Sequence, residues 1–253
     1  MKKRNFILIA VMTFIMNSYS LENQELLKKI DEVNSFGNDF AFEMEVTSFH
    51  GDSLILTNTL NGFVQTTKNL EIKSLLYFIS PNDVKGRKML IEGKYIWALF
   101  PQTKNLIRLT PLQILLGEVA YGDVLRIIFS EIYEVNKIEE NKIDGIDYYF
   151  LNLIIKKDKL GENYYAVNLK VEKQSLRIVY SEMLSSTNKL IKKVYYSDAM
   201  KYENKTINSL IKIVDGVQPD NYSLLKYKKV AKKKVPSGFF NKEYLTKFKN
   251  YEF

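Results

Sequence analysis

The chain has no cysteine, one histidine and one tryptophan among its 253 residues. Without cysteine there can be no disulfide, no thiolate metal site and no lipid attached through a cysteine thiol. The sequence also lacks the H-E-x-x-H, G-x-S-x-G and glycine-rich phosphate-loop patterns that mark common catalytic sites. We therefore expect a protein that is not an enzyme and that uses neither a cofactor nor a metal ion.

Two polar patterns remain as catalytic candidates. His50 stands in the segment Ser48-Phe49-His50-Gly51-Asp52, which is typical of a turn between strands. The sequence shows none of the partner residues that a catalytic histidine needs, so we expect an exposed turn residue. Asp144 and Asp147 flank Gly145, which also favours a turn. A paired-carboxylate glycosidase stays open at this point, because that chemistry depends on the distance between the two carboxyl groups.

Long apolar runs are rare, and the clearest lies at the N-terminus. Lys2, Lys3 and Arg4 precede an apolar segment over 6–16, and Ser18 and Ser20 follow it. This segment is short for a bilayer core of about 30 Å, whereas the small residues fit a cleavage site. The pattern predicts a cleaved signal peptide over 1–20 and a periplasmic domain over 21–253; an uncleaved anchor is the alternative.

The remainder has the composition of one globular domain, with 46% hydrophobic residues and a mildly basic net charge of +8 for the whole chain. A 3.6-residue pattern predicts a helix over 22–36. Alternation of Phe40, Phe42, Met44 and Val46 with polar or small residues then predicts a strand. Short strands and turns follow, which favours an antiparallel meander, either as a sandwich or as a curved, partly closed barrel.

Helices are expected at two further places. Thr110 and Asp123 are residue types that cap helices, which predicts one helical segment through Leu116 and another from Val124 to Tyr133. The segment 241–248 predicts a short C-terminal helix. Helices would then interrupt the sheet midway along the chain.

Some predicted strands are apolar on both faces. In 75–79 and in 95–100, nearly every side chain is hydrophobic, so neither face of these strands can remain in water. One face can be covered by helices. The other requires either a second layer of protein or a bound hydrophobic ligand.

The segment from Lys85 to Asp123 carries a further pattern. A Lys-Gly-x-x-Met-Leu turn is followed by the only tryptophan, by a proline that closes its strand, by a glycine and by a Tyr-x-Asp sequence. In this order and spacing the chain resembles the LolA-like family of periplasmic proteins that sort lipoproteins to the outer membrane. The residues that carry the resemblance are Lys85, Gly86, Met89, Leu90, Trp97, Pro101, Gly117, Tyr121 and Asp123.

The resemblance implies an α+β fold: an incomplete antiparallel β-barrel, formed by a strongly curved sheet, with helices across its concave side. It also implies a hydrophobic cavity that shields the acyl chains of a lipoprotein or lipid. The partners would be an inner-membrane exporter and an outer-membrane acceptor, without nucleic acid, and the carrier would be a monomer. The residues expected to line the cavity are Phe40, Phe42, Met44, Tyr77, Met89, Ile91 and Trp97.

A basic segment suggests a different function. Residues 226–234 contain six lysines, which could meet an anionic membrane surface or an acidic protein partner. The protein would then be an envelope binding module rather than a carrier. The same lysines are also typical of an edge strand protected against pairing with other chains.

Overall fold

The structure is a computed structural model that describes residues 21–67, 72–92, 95–102, 105–109, 114–116, 119–120, 128–161 and 164–247. The predicted signal peptide lies outside the described residues. So do the motif residues Gly117, Tyr121 and Asp123 and the predicted caps at Thr110 and Asp123.

The described part of the chain contains fifteen strands, three helices and two 3-10 turns. Helix α1 occupies residues 21–33, α2 is Phe129–Ile132 and α3 is Lys242–Lys247. The 3-10 turns are Lys157–Lys159 and Ser237–Phe240. The strands are β1 (Asp39–His50), β2 (Ser53–Thr66), β3 (Ile72–Ser80), β4 (Lys88–Glu92), β5 (Tyr95–Leu99), β6 (Leu106–Leu109), β7 (Ile114–Leu116), β8 (Val119–Ala120), β9 (Tyr133–Ile143), β10 (Ile146–Ile155), β11 (Ala166–Glu172), β12 (Ile178–Leu184), β13 (Leu190–Tyr202), β14 (Lys205–Asp215) and β15 (Asn221–Lys232).

Thirteen of these strands form one antiparallel sheet in the order β6-β5-β4-β3-β2-β1-β15-β14-β13-β12-β11-β10-β9. Two meanders, β1 to β6 and β9 to β15, are joined where β1 pairs with β15. The edge strands β6 and β9 do not pair with each other in the described residues, so the sheet is not closed. This architecture confirms the predicted incomplete antiparallel barrel with helices.

The sheet has two apolar faces because side chains alternate along each strand. The inner face carries the larger core cluster, which includes Phe42 and Met44 from β1 and Leu27 and Ile30 from α1. The outer face carries a smaller cluster on β1 to β5. It is covered by the C-terminal segment through Val235, Phe240 and Leu245, all buried. A layer of protein therefore covers the second face of the strands that are apolar on both sides.

Several predicted elements need correction. Residues 114–116, expected to be helical, form β7 and pair with β8, so that prediction is wrong. A short apolar run does not distinguish the two states by periodicity. After the first strand, where short strands are expected, residues 53–66 form one long strand, β2. Strand β9 was not predicted because its sequence is mostly polar and its apolar residues do not alternate along the whole strand. The C-terminal helix is confirmed as α3.

The basic segment forms most of β15, which lies in the middle of the sheet between β1 and β14. β15 is therefore not an edge strand of the sheet, although beyond Lys226 its described ladder pairs are with β1 alone. Three of its lysines lie near carboxylates: Lys228 Nζ is 3.1 Å from Glu45, Lys229 Nζ is 3.9 Å from Glu43 and Lys232 Nζ is 3.3 Å from Glu203. These ion pairs reduce the charge that the segment can offer to a membrane or partner.

Several residues of the Lys85 to Asp123 motif lie in or next to the turn between β3 and β4. Lys85 and Gly86 belong to the turn between β3 and β4, where Gly86 has a left-handed φ of 86° and donates its N–H to the carbonyl of Phe78. A side chain at Gly86 would contact Pro101. Leu90 is buried in the outer cluster. This turn thus fixes how β4 and the end of β5 meet.

Candidate functional site

An apolar cavity of about 140 Å³ lies between the C-terminal half of α1 and the inner face of the sheet. Most of its lining is aliphatic or aromatic, and the polar lining residues come mainly from the end of α1 and the two residues that follow it. The lining residues are Asp31, Asn34, Ser35, Phe36, Phe40, Phe42, Val64, Phe129, Ile178, Met183, Val194, Tyr196, Ile207, Asn208, Ile211, Ile213 and Tyr227.

The seven residues predicted to line a cavity fall into three groups. Phe40 and Phe42 line it. Met44, Met89 and Ile91 belong to the same inner core cluster, but they are not in the lining. Tyr77 and Trp97 lie on the opposite face, in the outer cluster. Tyr77 and Trp97 point outward because side chains alternate along a strand, and their neighbours Leu76 and Ile96 occupy the inward positions.

Four aromatic rings form one wall of the cavity. Phe36 contacts Phe40 and Tyr227, with ring centroids 5.1 and 4.8 Å apart, and Phe42 lies 5.4 Å from Tyr227. The Phe42 ring occupies the space above Gly62, its cross-strand partner on β2, where a Cβ would overlap it. Gly62 thus lets the Phe42 ring lie close to the backbone of β2.

Polar side chains of α1 hold the helix over this wall. Asp31 accepts hydrogen bonds from the backbone N–H groups of Phe129 (3.0 Å) and Ser130 (2.8 Å), at the start of α2. These are backbone donors that a short helix leaves without partners. Near the N-terminus of α1, Gln24 Nε2 donates to the carbonyls of Ser130 and Tyr133, each at 3.1 Å. Helices α1 and α2 are thereby linked by side chains.

Asn34 fastens the other end of α1 to the sheet. Its Nδ2 donates to the carbonyl of Leu176 at 2.8 Å, and its Oδ1 accepts the N–H of Ile178 at 3.0 Å. Both groups of the amide therefore bond to the backbone where β12 begins. This contact sets the position of α1 relative to β12.

The electrostatics of the lining suit an uncharged ligand. None of the lining residues is a lysine, arginine or histidine. Burial raises the pKa of Tyr227, which keeps its hydroxyl neutral at physiological pH. Asn208 Nδ2 donates to the carbonyl of Ile178 at 2.8 Å, whereas its buried Oδ1 has no hydrogen-bond partner among the described residues. The arrangement can shelter an apolar chain.

The lining residues on β13 and β14 were not predicted. Val194, Ile207, Ile211 and Ile213 all reach the cavity from these two strands. The alternation of Ile207, Ser209, Ile211 and Ile213 carries the signal of one inward face. This alternation does not show which inward side chains pack against a helix and which line a cavity. The cavity could therefore not be located from the sequence.

The other sequence candidates have simple structural positions. His50, at the exposed end of β1, forms a 2.6 Å hydrogen bond through Nδ1 with Asn221 Oδ1. Asp144 and Gly145 have positive φ values in the turn between β9 and β10, as their spacing predicts.

In the described part of the chain, histidine, cysteine and carboxylate side chains form no cluster of three or more that could hold a metal. No helix described here is long and apolar enough to cross a bilayer.

Three solved structures share this fold, each with a TM-score of 0.78. A LolA superfamily protein from Nitrosomonas europaea is 24% identical and covers 88% of this chain and 98% of its own. A DUF1329 family protein from Desulfovibrio piger is 18% identical, with coverages of 89% and 98%. A domain from Vibrio parahaemolyticus, named for outer membrane lipoprotein sorting, is 18% identical, with coverages of 90% and 99%. The fold is therefore LolA-like, as the motif order predicts.

A family profile described as "Uncharacterized protein" matches residues 71–247, well over half of the chain. The chain belongs to that family. A search of curated proteins finds no match.

Proposed function

We propose that this protein is a periplasmic carrier that shields an acyl chain of a lipoprotein or lipid in the cavity beneath α1. The observation that carries the proposal is the apolar space itself, because a core of this kind is otherwise packed without voids. The lipoprotein-sorting name of the structural neighbour from Vibrio parahaemolyticus gives independent support. The proposed role is binding and transfer, not catalysis.

The size of the cavity limits what it holds as it stands. A dry cavity of about 150 Å³ holds one benzene molecule, so about 140 Å³ accommodates roughly six carbons. At about 0.8 kcal/mol per buried methylene, six carbons contribute roughly 5 kcal/mol before the costs of ordering. A longer chain requires the lining to repack. Met183 and the ring of Phe36 are side chains that can do so by rotation.

Such modest affinity suits a carrier that must release its cargo. The lining on β12 to β14 is aliphatic, so a bound chain gains burial without many specific hydrogen bonds. We propose that an inner-membrane exporter loads a monomeric carrier and an outer-membrane acceptor unloads it. Cleavage of the segment 1–20 would release the domain into the periplasm.

The test is displacement of a fluorescent acyl probe from the purified domain 21–253. We expect saturable binding to the wild type and at least tenfold weaker binding to Val194→Phe, because the larger ring fills the cavity. The matched control is Trp97→Leu, which changes an apolar residue of the outer cluster. This control should bind the probe like the wild type, and circular dichroism should show both variants folded.

The outcomes separate the function from the site. Absence of probe uptake by the folded wild type would refute the carrier proposal. Uptake that survives Val194→Phe but is lost in Trp97→Leu would place the acyl site on the outer face instead. Mass spectrometry of organic extracts from the protein purified out of a periplasmic host would identify the natural ligand.

A further inference from the structure

Four aliphatic side chains are strongly exposed at one end of the sheet. Leu54, Ile55, Leu160 and Val217 are between 56% and 81% exposed, and we call them the aliphatic tips. They lie in or beside the turns that follow β1, β10 and β14. These three strands run in the same direction, because neighbouring strands alternate in direction across the sheet. The turns that follow them therefore lie at the same end of the molecule.

A β-bulge accompanies the two exposed neighbours on β2. Phe49 pairs with Leu54 and Ser48 pairs with Leu56, so Ile55 is the additional residue. A bulge changes the direction of side chains that would otherwise alternate between the two faces. The turn after β14 lies beside this bulge, because Gly51 N–H donates to the carbonyl of Asp220 at 2.8 Å. Three of the four tips therefore belong to two adjoining turns.

Aromatic rings and a lysine lie next to these turns. Phe49 pairs with Leu54 on one side and with Tyr222 on the other, and the two rings stack with centroids 4.9 Å apart. Lys212 Nζ lies 4.0 Å from the centre of the Tyr222 ring. Near Leu160, the side chain of Tyr165 is exposed. Aliphatic groups beside aromatic rings and lysine amines are the composition that proteins present to the interface of a bilayer.

The charge of this end indicates which kind of surface it fits. By sequence, the segments 50–55, 156–165 and 215–221 contain five carboxylates (Asp52, Asp158, Glu162, Asp215 and Asp220) and three lysines (Lys156, Lys157 and Lys159). A surface with only negative charge would be repelled by the excess of carboxylates. A zwitterionic lipid headgroup instead offers an ammonium group to the carboxylates and a phosphate to the lysines.

We propose that the aliphatic tips dock this protein on the surface of a zwitterionic bilayer. The turns after β1 and β10 are widely separated, since β1 and β11 are five strand spacings apart in the sheet. At about 4.8 Å per spacing, this is roughly 24 Å along the sheet. A protein partner would need a separate pocket at each turn, whereas a fluid bilayer receives all the tips at once and buries their apolar surface. The inference does not depend on the cavity beneath α1.

A dye that responds to polarity tests where the protein meets the bilayer. Because the chain has no cysteine, Val217→Cys and Leu160→Cys each provide one site for nitrobenzoxadiazole. We expect the fluorescence of both labelled proteins to rise severalfold on adding vesicles of phosphatidylcholine and phosphatidylethanolamine. The matched control is Ile146→Cys, at a 43% exposed position at the start of β10 and hence at the opposite end. Its fluorescence should not change.

Cosedimentation of the unlabelled protein with the same vesicles measures the affinity. We expect at least tenfold weaker binding for the double variant Leu54→Ser, Val217→Ser, because both side chains lose their apolar surface. The double variant Ile143→Ser, Ile146→Ser changes two exposed residues at the opposite end and should bind like the wild type. High salt should leave the binding of the wild type nearly unchanged.

Three results would overturn the proposal. Lack of cosedimentation of the folded wild type would exclude docking on such a bilayer. An equal rise in fluorescence at positions 146 and 217 would show that the tips do not orient the protein. Binding that requires phosphatidylglycerol and disappears at high salt would assign the membrane contact to a basic surface, such as the lysines of 226–234.

Discussion

At the residue scale, the pair of Phe42 and Gly62 shapes the cavity. Phe42 lies directly across from Gly62 on β2, and its ring covers the space that a Cβ would take. Glycine is unfavourable in a strand because it leaves a gap in the packed surface. Here the gap is filled by the aromatic ring of the partner strand.

Replacing this glycine should therefore move the ring. We expect Gly62→Ala to lower the free energy of unfolding by about 1–3 kcal/mol, because the added methyl group overpacks the contact with Phe42. Urea unfolding monitored by circular dichroism measures the change. Gly238→Ala is the control, since no atom lies within 4 Å of its Cβ position. Equal stability of the two variants would contradict the close contact.

At the element scale, α1 is held by polar contacts that a helical pattern does not reveal. The apolar stripe of Leu26, Ile30 and Val33, with Leu27 beside it, predicts the side of α1 that faces the sheet. Leu27 and Ile30 are fully buried, whereas Leu26 and Val33 are half-buried. The rotation and end of the helix depend on Asn34, which bonds to the backbone of residues 176 and 178. The helix was predicted to continue to residue 36, but α1 ends at residue 33, just before the Asn34 contact.

Asn34→Ala leaves the carbonyl of Leu176 and the N–H of Ile178 without this partner. We expect a loss of about 1–3 kcal/mol in unfolding free energy and faster hydrogen exchange at the Ile178 amide. Asn136→Ala removes an exposed amide hydrogen bond to Asn152 and serves as the control. An Ile178 amide that exchanges equally slowly in both variants would refute the role assigned to Asn34.

The C-terminal segment is a second element whose packing makes a prediction. Leu245 is fully buried against the outer cluster, and the carbonyl of the same residue accepts a hydrogen bond from Lys88 Nζ at 3.1 Å. Leu245→Asp buries a charge and should cost about 3 kcal/mol or more, with increased binding of a dye specific for exposed apolar surface. Thr246→Asp, at the exposed neighbouring position, should be close to neutral. Similar dye binding by both variants would show that the segment does not cover the sheet.

At the scale of the whole molecule, buried tyrosines make stability depend on alkaline pH. Burial raises the pKa of Tyr133 and Tyr227 above the ordinary value near 10, and Tyr133 donates its hydroxyl hydrogen to the carbonyl of Tyr164 at 3.1 Å. The unfolded chain releases these protons at lower pH than the folded protein does. Their contribution is therefore complete below pH 10 and is lost as the pH rises above it.

We expect the urea midpoint to fall as the pH rises above about 10, and to fall less steeply in Tyr227→Phe, which has one fewer group to titrate. Other ionisable groups contribute equally in both proteins, so the difference between the two curves isolates Tyr227. Parallel curves for the wild type and Tyr227→Phe would contradict the raised pKa.

The sequence by itself determined the all-antiparallel class of sheet, the positions of α1 and α3 and the inward side of β1. Alternation and helical periodicity are local, so these features follow from neighbouring residues. Phe40 and Phe42 lie on that inward side and border the space beneath α1. The order of the Lys85 to Asp123 motif also indicated the LolA-like fold.

Only the tertiary structure decided which apolar faces meet protein and which meet empty space. Tyr77 and Trp97 are as hydrophobic as Phe42, yet the C-terminal segment packs beside them, whereas α1 leaves a gap above Phe42. Likewise β15, which its lysines suggested as an edge, is central because β1 and β15 pair across 171 residues of chain at His50 and Asn221. Contacts of such long range depend on how distant segments meet, and local periodicity carries no information about them.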